Sequence, residues 1–179
     1  HYKAKKAFQN VLVSSKIEDN ILKTWVINDN LETVTDTLYL KLIDFSGKEL
    51  WSHSKEITAL KNSSKLKHEI NLKGIDRRST VLVSNFNNTT STYYLTKPKD
   101  LKLYKADIIQ QITKTATGFK IKLSSSTLQK DVFLHSKENG HFSDNFFDIL
   151  PNEAVEIELK TDAENLKGLK IKTLSDFIN

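Results

Sequence analysis

The densest group of residues able to do chemistry lies between Ser143 and Asp148. It reads Ser-Asp-Asn-Phe-Phe-Asp, so two carboxylates stand four residues apart beside an amide and a hydroxyl. Such groups bind Ca²⁺ or act as an acid and a base. On a strand, however, Asp144 and Asp148 would be about 13 Å apart, because each residue advances the chain by roughly 3.3 Å. We therefore expect an Asx-type turn at a sandwich corner, with Phe146 and Phe147 on opposite faces and one ring in the core.

No other part of the sequence indicates a metal site or a nucleophile. The chain has no cysteine, which excludes disulfides, thiolate ligands and cysteine nucleophiles. It also has no glycine-rich phosphate loop and no Gly-x-Ser-x-Gly elbow. A zinc site needs three or four ligands, and no histidine has a partner at a suitable spacing. We therefore predict no catalytic residue, no metal and no cofactor, and interpret the histidines as surface or strand-end residues: His1, His53, His68, His135 and His141.

The aromatic residues indicate a different kind of site, a platform on which sugar rings stack. Trp25 stands in mid-strand among apolar residues, where the core tryptophan of an immunoglobulin-like domain lies, so we predict that it is buried. Trp51 follows the turn at Gly47 and is the better surface candidate. A carbohydrate platform would therefore use Trp51 or the pair Tyr93 and Tyr94.

The net charge of +5 does not point to nucleic acid. Arginine, which makes the best contacts to phosphates and bases, occurs only at Arg77 and Arg78. The lysines alternate with apolar residues, as in residues 119–123 and 169–172, which places them on the solvated face of strands. A membrane is not expected either, since no stretch approaches the roughly 20 apolar residues that span a bilayer. We predict no nucleic acid and no membrane as partners.

Hydrophobic residues alternate with polar ones along nearly the whole chain, and Gly, Asn, Asp and Ser clusters separate the alternating runs. This pattern predicts strands in two groups. The first group comprises Val11–Ser14, Ile21–Asn28, Thr37–Phe45, Glu49–Ser52, Leu66–Asn71, Thr80–Phe86 and Ser91–Leu95. The second comprises Ile108–Ile112, Gly118–Leu123, Val132–His135, Phe142–Ile149, Ala154–Leu159 and Leu169–Leu174.

The predicted fold is all-β, with two tandem immunoglobulin-like β-sandwich domains preceded by a short helix remnant. Residues 1–8 carry apolar residues at helical spacing and are predicted to end a helix. Residues 9–97 form the first sandwich, and residues 98–179 form a second, smaller one. The boundary follows from the charged, strand-poor segment around Pro98, because proline cannot donate to a strand ladder.

Several segments resemble the C-terminal part of β-mannosidases of glycoside hydrolase family 2. Residues 93–101 followed by 118–125 resemble the junction between their last two domains. Residues 140–151, Gly-His-Phe-Ser-Asp-Asn-Phe-Phe-Asp-Ile-Leu-Pro, resemble a segment of their final domain, with Asn152-Glu153 where the family usually has Gly-Glu. Residues 26–29 and 42–48 resemble the preceding immunoglobulin-like domain, and residues 1–8 resemble the end of the helix that closes the catalytic barrel.

The resemblance implies that the chain is a non-catalytic piece of an exo-hydrolase that removes terminal, non-reducing β-D-mannose. Such retaining enzymes use two glutamates about 5 Å apart, an acid/base and a nucleophile. In the family both lie on the barrel, upstream of residue 1, and no position here matches either of them. The absence of methionine likewise indicates a piece of a longer protein. Its compartment stays open, with periplasmic or secreted favoured if the source is bacterial.

Three functions follow as hypotheses. The first is a scaffold that packs on the catalytic barrel of its own protein. The second is a carbohydrate-binding module that holds mannan or another glycan near the catalytic domain. The third is an adhesive cell-surface repeat, which the helix remnant and residues 143–151 disfavour.

Overall fold

The structure is a computed structural model that describes Tyr2 and residues 9–177. The described residues form two compact units, one of residues 9–44 and 48–102, the other of residues 103–177 together with Phe45–Gly47. The predicted boundary between residues 97 and 98 stays a prediction. The predicted helix remnant, Tyr2 aside, lies outside the described residues. Within them, no helix has the length and apolar character needed to cross a membrane.

The described chain is built almost entirely of strands, as the alternating pattern predicted. Seven of the strands belong to the first unit and seven to the second. Apart from the helical Tyr2, the helices of the described residues are two 3₁₀ turns, Pro98–Asp100 and Leu174–Asp176. The strands are β1 (Val11–Glu18), β2 (Ile21–Asn28), β3 (Val34–Asp44), β4 (Glu49–Ala59), β5 (Ser63–Asn71), β6 (Thr80–Phe86), β7 (Thr89–Tyr94), β8 (Ile109–Thr115), β9 (Gly118–Ser124), β10 (Gln129–His135), β11 (His141–Phe142), β12 (Phe147–Ile149), β13 (Ala154–Lys160) and β14 (Lys170–Lys172).

In each unit an antiparallel sheet of four strands accompanies one of three. In the first unit the sheet orders are β1-β2-β5 and β4-β3-β6-β7. Their inward residues form one core, in which Leu22, Leu42, Leu82 and Phe86 are fully buried. In the second unit the orders are β11-β13-β9-β8 and β12-β10-β14, again around a core of its own. The all-β prediction of two immunoglobulin-like sandwiches is therefore confirmed.

Trp25 does not occupy the core position that was predicted for it. On β2 the residues Leu22, Val26 and Asn28 face inward, so Trp25 lies half-buried on the outer face of its sheet, and its predicted core position was wrong. Both faces of β2 carry apolar side chains, so alternation alone does not show which face is buried. The polar side chain of Asn28 can lie on the inward face because its amide forms three hydrogen bonds there. It donates to the carbonyls of Glu32 and Ala59 at 2.9 and 3.0 Å and accepts from the N–H of Asn30 at 3.0 Å.

The predicted strand from Phe142 to Ile149 is also wrong as a single element. It is divided into β11 and β12, with residues 143–146 outside both. The cause is Asn145. Its side chain hydrogen-bonds to the backbone of Leu134 on β10, at a place where a continuous strand would pair through its backbone N–H and C=O groups. The strand predicted to Leu174 ends at Lys172, and the 3₁₀ turn follows.

A single buried side-chain polar atom of the described residues has no hydrogen-bond partner, the hydroxyl of Thr80 at the start of β6. Thr80 is 1% exposed, so this hydroxyl has lost water without gaining a bond. We expect Thr80→Val, which has nearly the same shape, to raise the free energy of unfolding by about 1 kcal/mol. Chemical denaturation checks this, with Thr33→Val at an exposed position just before β3 as the control. A destabilised Thr80→Val would show that the hydroxyl has a partner.

Candidate carbohydrate-binding site

An aromatic cleft of about 350 Å³ lies on the surface of the second unit. Its volume is within the range of small-ligand sites, and its walls are mainly apolar. For brevity it is called the phenylalanine cleft. The residues that line it are Asp131, Phe133, Phe146, Lys172, Thr173, Leu174 and Phe177.

Strand β10 supplies one wall because its residues alternate between the core and the outside. Val132 and Leu134 are buried, so Phe133 and His135 point outward. Lys172 on β14 is directly opposite Phe133 in the ladder. The side chain of this lysine therefore stands beside the ring, at the rim of the cleft.

Phe146 forms the second wall and is held in an unusual backbone conformation. Its φ is +58°, a region that costs a bulky side chain about 1–3 kcal/mol. The N–H of Phe146 donates to the carbonyl of Val132 at 2.9 Å and to Asn145 Oδ1 at 3.1 Å, which fixes this turn. The ring lies 5.0 Å from that of Phe133, with 30° between their planes. Phe146 is 46% exposed and Phe147 is 4% exposed, so the predicted opposite orientation of the two rings is confirmed.

Asn145 is the residue that organises this corner. Its amide accepts from the N–H of Leu134 at 2.8 Å and donates to the carbonyl of Leu134 at 2.9 Å, as a paired strand residue would. The side chains of Asp144 and Asn145 accept from the N–H of the next residue in each case. An Asx turn would use the second residue along, so the corner is held in a different way from the predicted turn.

The carboxylates near the cleft have separate structural roles. Lys130 is 8% exposed, and its Nζ lies 3.2 Å from Asp131 and 3.9 Å from Asp148. The N–H of Asp131 also donates to Asp148 Oδ1 at 2.9 Å. Asp144 instead bonds to the N–H of Asn145 at 2.8 Å. Both aspartates of the Ser143–Asp148 segment thus take part in structural contacts of the described chain.

The cleft can bind an apolar surface and a polar rim group, which is what a sugar ring presents. Phe177 is 70% exposed, and the ammonium of Lys172 lies 5.5 Å from the centre of its ring. The two phenylalanines at the other wall offer further apolar area. Apolar faces beside an ammonium are a combination that small-ligand sites use for binding.

The aromatic residues predicted to form a platform do not form one. Trp51 packs against the core of the first unit, because alternate residues of β4 point inward. Tyr93 packs against the same core, and Tyr94 is half-buried. The prediction of a sugar-binding platform on Trp51, or on Tyr93 and Tyr94, is therefore wrong. Three residues of the cleft were not predicted from the sequence: Phe133, Phe177 and Lys172. For Phe133 a signal was present, because it alternates along the strand with the apolar residues Val132 and Leu134.

Trp51 stacks with two histidines that were interpreted as surface residues. The ring centres of His53 and His68 are 4.1 Å apart, and that of Trp51 lies 5.3 Å from His68. All three are half-buried, on β4 and β5, which are edge strands of the two different sheets of the first unit. Burial lowers the pKa of His68; His53 and Lys55 lower it further, and Glu69 opposes them. Among the described residues, no three or more histidines, aspartates and glutamates are grouped so as to hold a metal ion.

The stability of the first unit is expected to fall as the pH drops below about 6.5, the ordinary pKa of histidine. The folded state resists protonation of His68 while the unfolded chain accepts the proton, so acid favours unfolding. Unfolding free energies measured at neutral and mildly acidic pH should show a weaker pH dependence in His68→Gln than in the natural sequence. His141→Gln, at an exposed position of the second unit, is the control. Equal slopes for His68→Gln and the natural sequence would contradict this prediction.

A larger cavity of about 580 Å³ in the second unit is lined mainly by polar groups. Its buried amide, Gln129, donates to Thr127 Oγ1 at 3.0 Å. One of its two carboxylates, Asp176, accepts from the N–H of Thr173 at 2.7 Å and so caps the 3₁₀ turn. Gln129 and Asp176 thus already hold neighbouring segments, whereas the phenylalanine cleft presents exposed aromatic rings, and for that reason it is the candidate site.

Comparison with known proteins agrees with this architecture. Residues 20–100 match the family model of the mannosidase Ig/CBM-like domain, and residues 103–177 match that of the mannosidase-type Ig-fold domain. A search of the curated proteins found no match.

Among solved structures, a β-D-mannosidase from Dictyoglomus thermophilum is similar, with a TM-score of 0.79 and 22% identity over 96% of this chain. The exo-chitosanase CsxA of Amycolatopsis orientalis is also similar, with a TM-score of 0.63 and 15% identity over 97% of this chain. The chain spans 22% and 26% of the length of these two proteins. At such identities the likeness shows the fold, and the two domain models supply the family. The chain therefore consists of two mannosidase-type immunoglobulin-like domains, which the family models place at residues 20–100 and 103–177.

Proposed function

We propose that this chain forms the non-catalytic C-terminal scaffold of an exo-acting β-mannosidase, which removes terminal, non-reducing β-D-mannose residues. One observation carries the proposal: the two mannosidase-type domain models lie end to end over residues 20–100 and 103–177. The similarity of nearly the whole chain to part of a β-D-mannosidase supports the same assignment. In this role the chain packs on the catalytic barrel of its own protein and stabilises it.

The surface of the chain supports a packing role. Each unit has a closed core, yet large apolar side chains stay exposed, among them Tyr39 in the first unit and Tyr104, Phe146 and Phe177 in the second. Exposed apolar groups of this size gain free energy when a neighbouring domain covers them. The chain's own contribution is thus binding area and rigidity, while the two glutamates of the reaction belong to the barrel.

The activity is tested with p-nitrophenyl β-mannoside, given to this chain and to the full-length protein. We expect hydrolysis by the full-length protein and none by the chain. Hydrolysis by the chain itself would overturn the non-catalytic role. A full-length protein that cleaves another β-glycoside but not the mannoside would overturn the assigned sugar.

The scaffold role is tested by deleting residues 9–179 from the full-length protein. We expect a lower melting temperature and reduced hydrolysis, because the barrel loses the surface that covers it. A truncated enzyme with unchanged melting temperature and activity would rule the scaffold role out, whatever sugar the enzyme cleaves.

Carbohydrate binding is the second candidate function, and the phenylalanine cleft is the observation that favours it. Titration of this chain with mannooligosaccharides measures the binding, and Phe177→Ala tests the site. Phe177 is exposed, so its truncation removes a wall of the cleft at little cost to the fold. Tyr104→Ala, at an exposed aromatic residue of the same unit outside the cleft, is the matched control. Absence of binding in the millimolar range, or equal binding by both variants, would remove this candidate.

A further inference from the structure

Strand β8 is an edge strand with little protection against pairing. It ends the sheet β11-β13-β9-β8, and all seven of its side chains are exposed. Ile109 and Ile112 are 64% and 41% exposed. The other edge strands of the second unit, β11, β12 and β14, have only two or three residues each. Short edges resist pairing with other chains, and β8 does not share this protection.

The free backbone edge of β8 follows from its hairpin with β9. A two-residue loop joins the strands, so the closing pair Thr115 and Gly118 is hydrogen-bonded. Alternation then turns the N–H and C=O groups of Gln110, Ile112 and Lys114 away from β9. None of these outward groups has a backbone partner among the described residues. The edge can therefore form a further ladder with an extended strand.

We infer that β8 pairs with β8 of a second copy of this chain, antiparallel about a two-fold axis at Ile112. Ile112 is the midpoint of the strand, so this register pairs all seven residues. It makes Ile112 face itself, Gln110 face Lys114 of the second copy, and Gln111 face Thr113 of the second copy. The outward groups of three residues then meet their counterparts in hydrogen-bonded pairs, and the two four-stranded sheets become one.

The sequence of β8 is complementary to itself in this register. Lys114 is its one charged residue. Its ammonium donates to the carbonyl of Glu164 in its own chain at 2.8 Å, and in this register it faces the uncharged Gln110 of the second copy rather than another lysine. The two isoleucines at the axis cover each other, which removes apolar surface from water. The interface is isologous, so it closes at two copies and does not propagate into a fibre.

The mass of the chain in solution tests this inference. Light scattering after size-exclusion chromatography, from micromolar to millimolar protein, should show the mass rising from 20.5 kDa toward twice that value. Gln110→Lys places an ammonium opposite each Lys114 and should weaken the dimer at least several-fold. Gln110→Glu places a carboxylate there and should strengthen it several-fold.

Gln111→Lys is the matched control, because it adds the same charge opposite Thr113 and should change the dimer far less. Far-UV circular dichroism at low concentration checks that each variant is folded. A chain that keeps a mass of 20.5 kDa at every concentration would overturn the inference. A dimer that responds equally to Gln110→Lys and Gln110→Glu would also overturn it, since another face would then hold the copies together.

Discussion

Asn145→Ala is expected to lower the free energy of unfolding of the second unit by about 3 kcal/mol. Asn145 is 6% exposed, and its amide satisfies both the N–H and the C=O of Leu134. Alanine leaves these two backbone groups without partners inside the sandwich, and each buried, unsatisfied group costs about 1–3 kcal/mol. The loss includes the turn that aims Phe146 outward, since Asn145 Oδ1 also accepts from the N–H of Phe146.

Chemical denaturation of the second unit measures this effect. Asn145→Asp separates the two bonds, because it keeps an acceptor for the N–H of Leu134 but loses the donor to its carbonyl. Asn139→Ala, at an exposed asparagine of the same unit, should change stability by less than about 0.5 kcal/mol. An Asn145→Ala variant as stable as this control would show that the amide does not hold β10.

Gly118→Ala is expected to lower the free energy of unfolding of the second unit by at least about 3 kcal/mol. A methyl group at Gly118 would lie 2.0 Å from the carbonyl oxygen of Leu159 and 2.9 Å from the nitrogen of Thr161. Both obstacles are backbone atoms, so relief requires a shift of β13 away from β9. The φ of Gly118 is +141°, a backbone conformation that alanine adopts only at a cost, and this strain adds to the steric clash.

Gly168→Ala is the matched control for the steric part of this effect. Gly168 has a φ of +75°, but the atoms nearest to its added methyl group belong to the flexible side chain of Lys137, at 3.7 Å or more. Its cost should therefore be the conformational strain alone, about 1–2 kcal/mol. Equal losses for the two variants in thermal or chemical unfolding would contradict the close approach of β13 at Gly118.

Local alternation predicted two inner strands with their exact bounds, Ile21–Asn28 and Thr80–Phe86. Glu49–Ser52 was too short, because β4 continues through charged and polar residues to Ala59. An edge strand tolerates such residues on its open side, so its hydrophobic pattern fades before its backbone pairing ends.

Positions decided by side-chain bonds across the sandwich were not predictable in the same way. The break at residues 143–146 depends on Asn145 reaching the backbone of Leu134, eleven positions earlier in the chain. The stacking of Trp51 with His53 and His68 likewise joins two strands. Neither arrangement produces a periodic pattern in the sequence, because each depends on contacts between residues that are distant along the chain.

The sequence by itself determined the all-β class and the two sandwiches, since period-two alternation and local turn residues act over a few positions. The mannosidase-type family came from the resemblance of particular segments, not from this alternation. Only the tertiary structure decided which apolar face of β2 turns inward, placing Trp25 outside. It also decided that Phe133, Phe146 and Phe177 share a cleft, and that β8 ends its sheet with an unpaired backbone edge. The physical reason is that burial and edge position depend on which strands become neighbours, a property that no single strand carries.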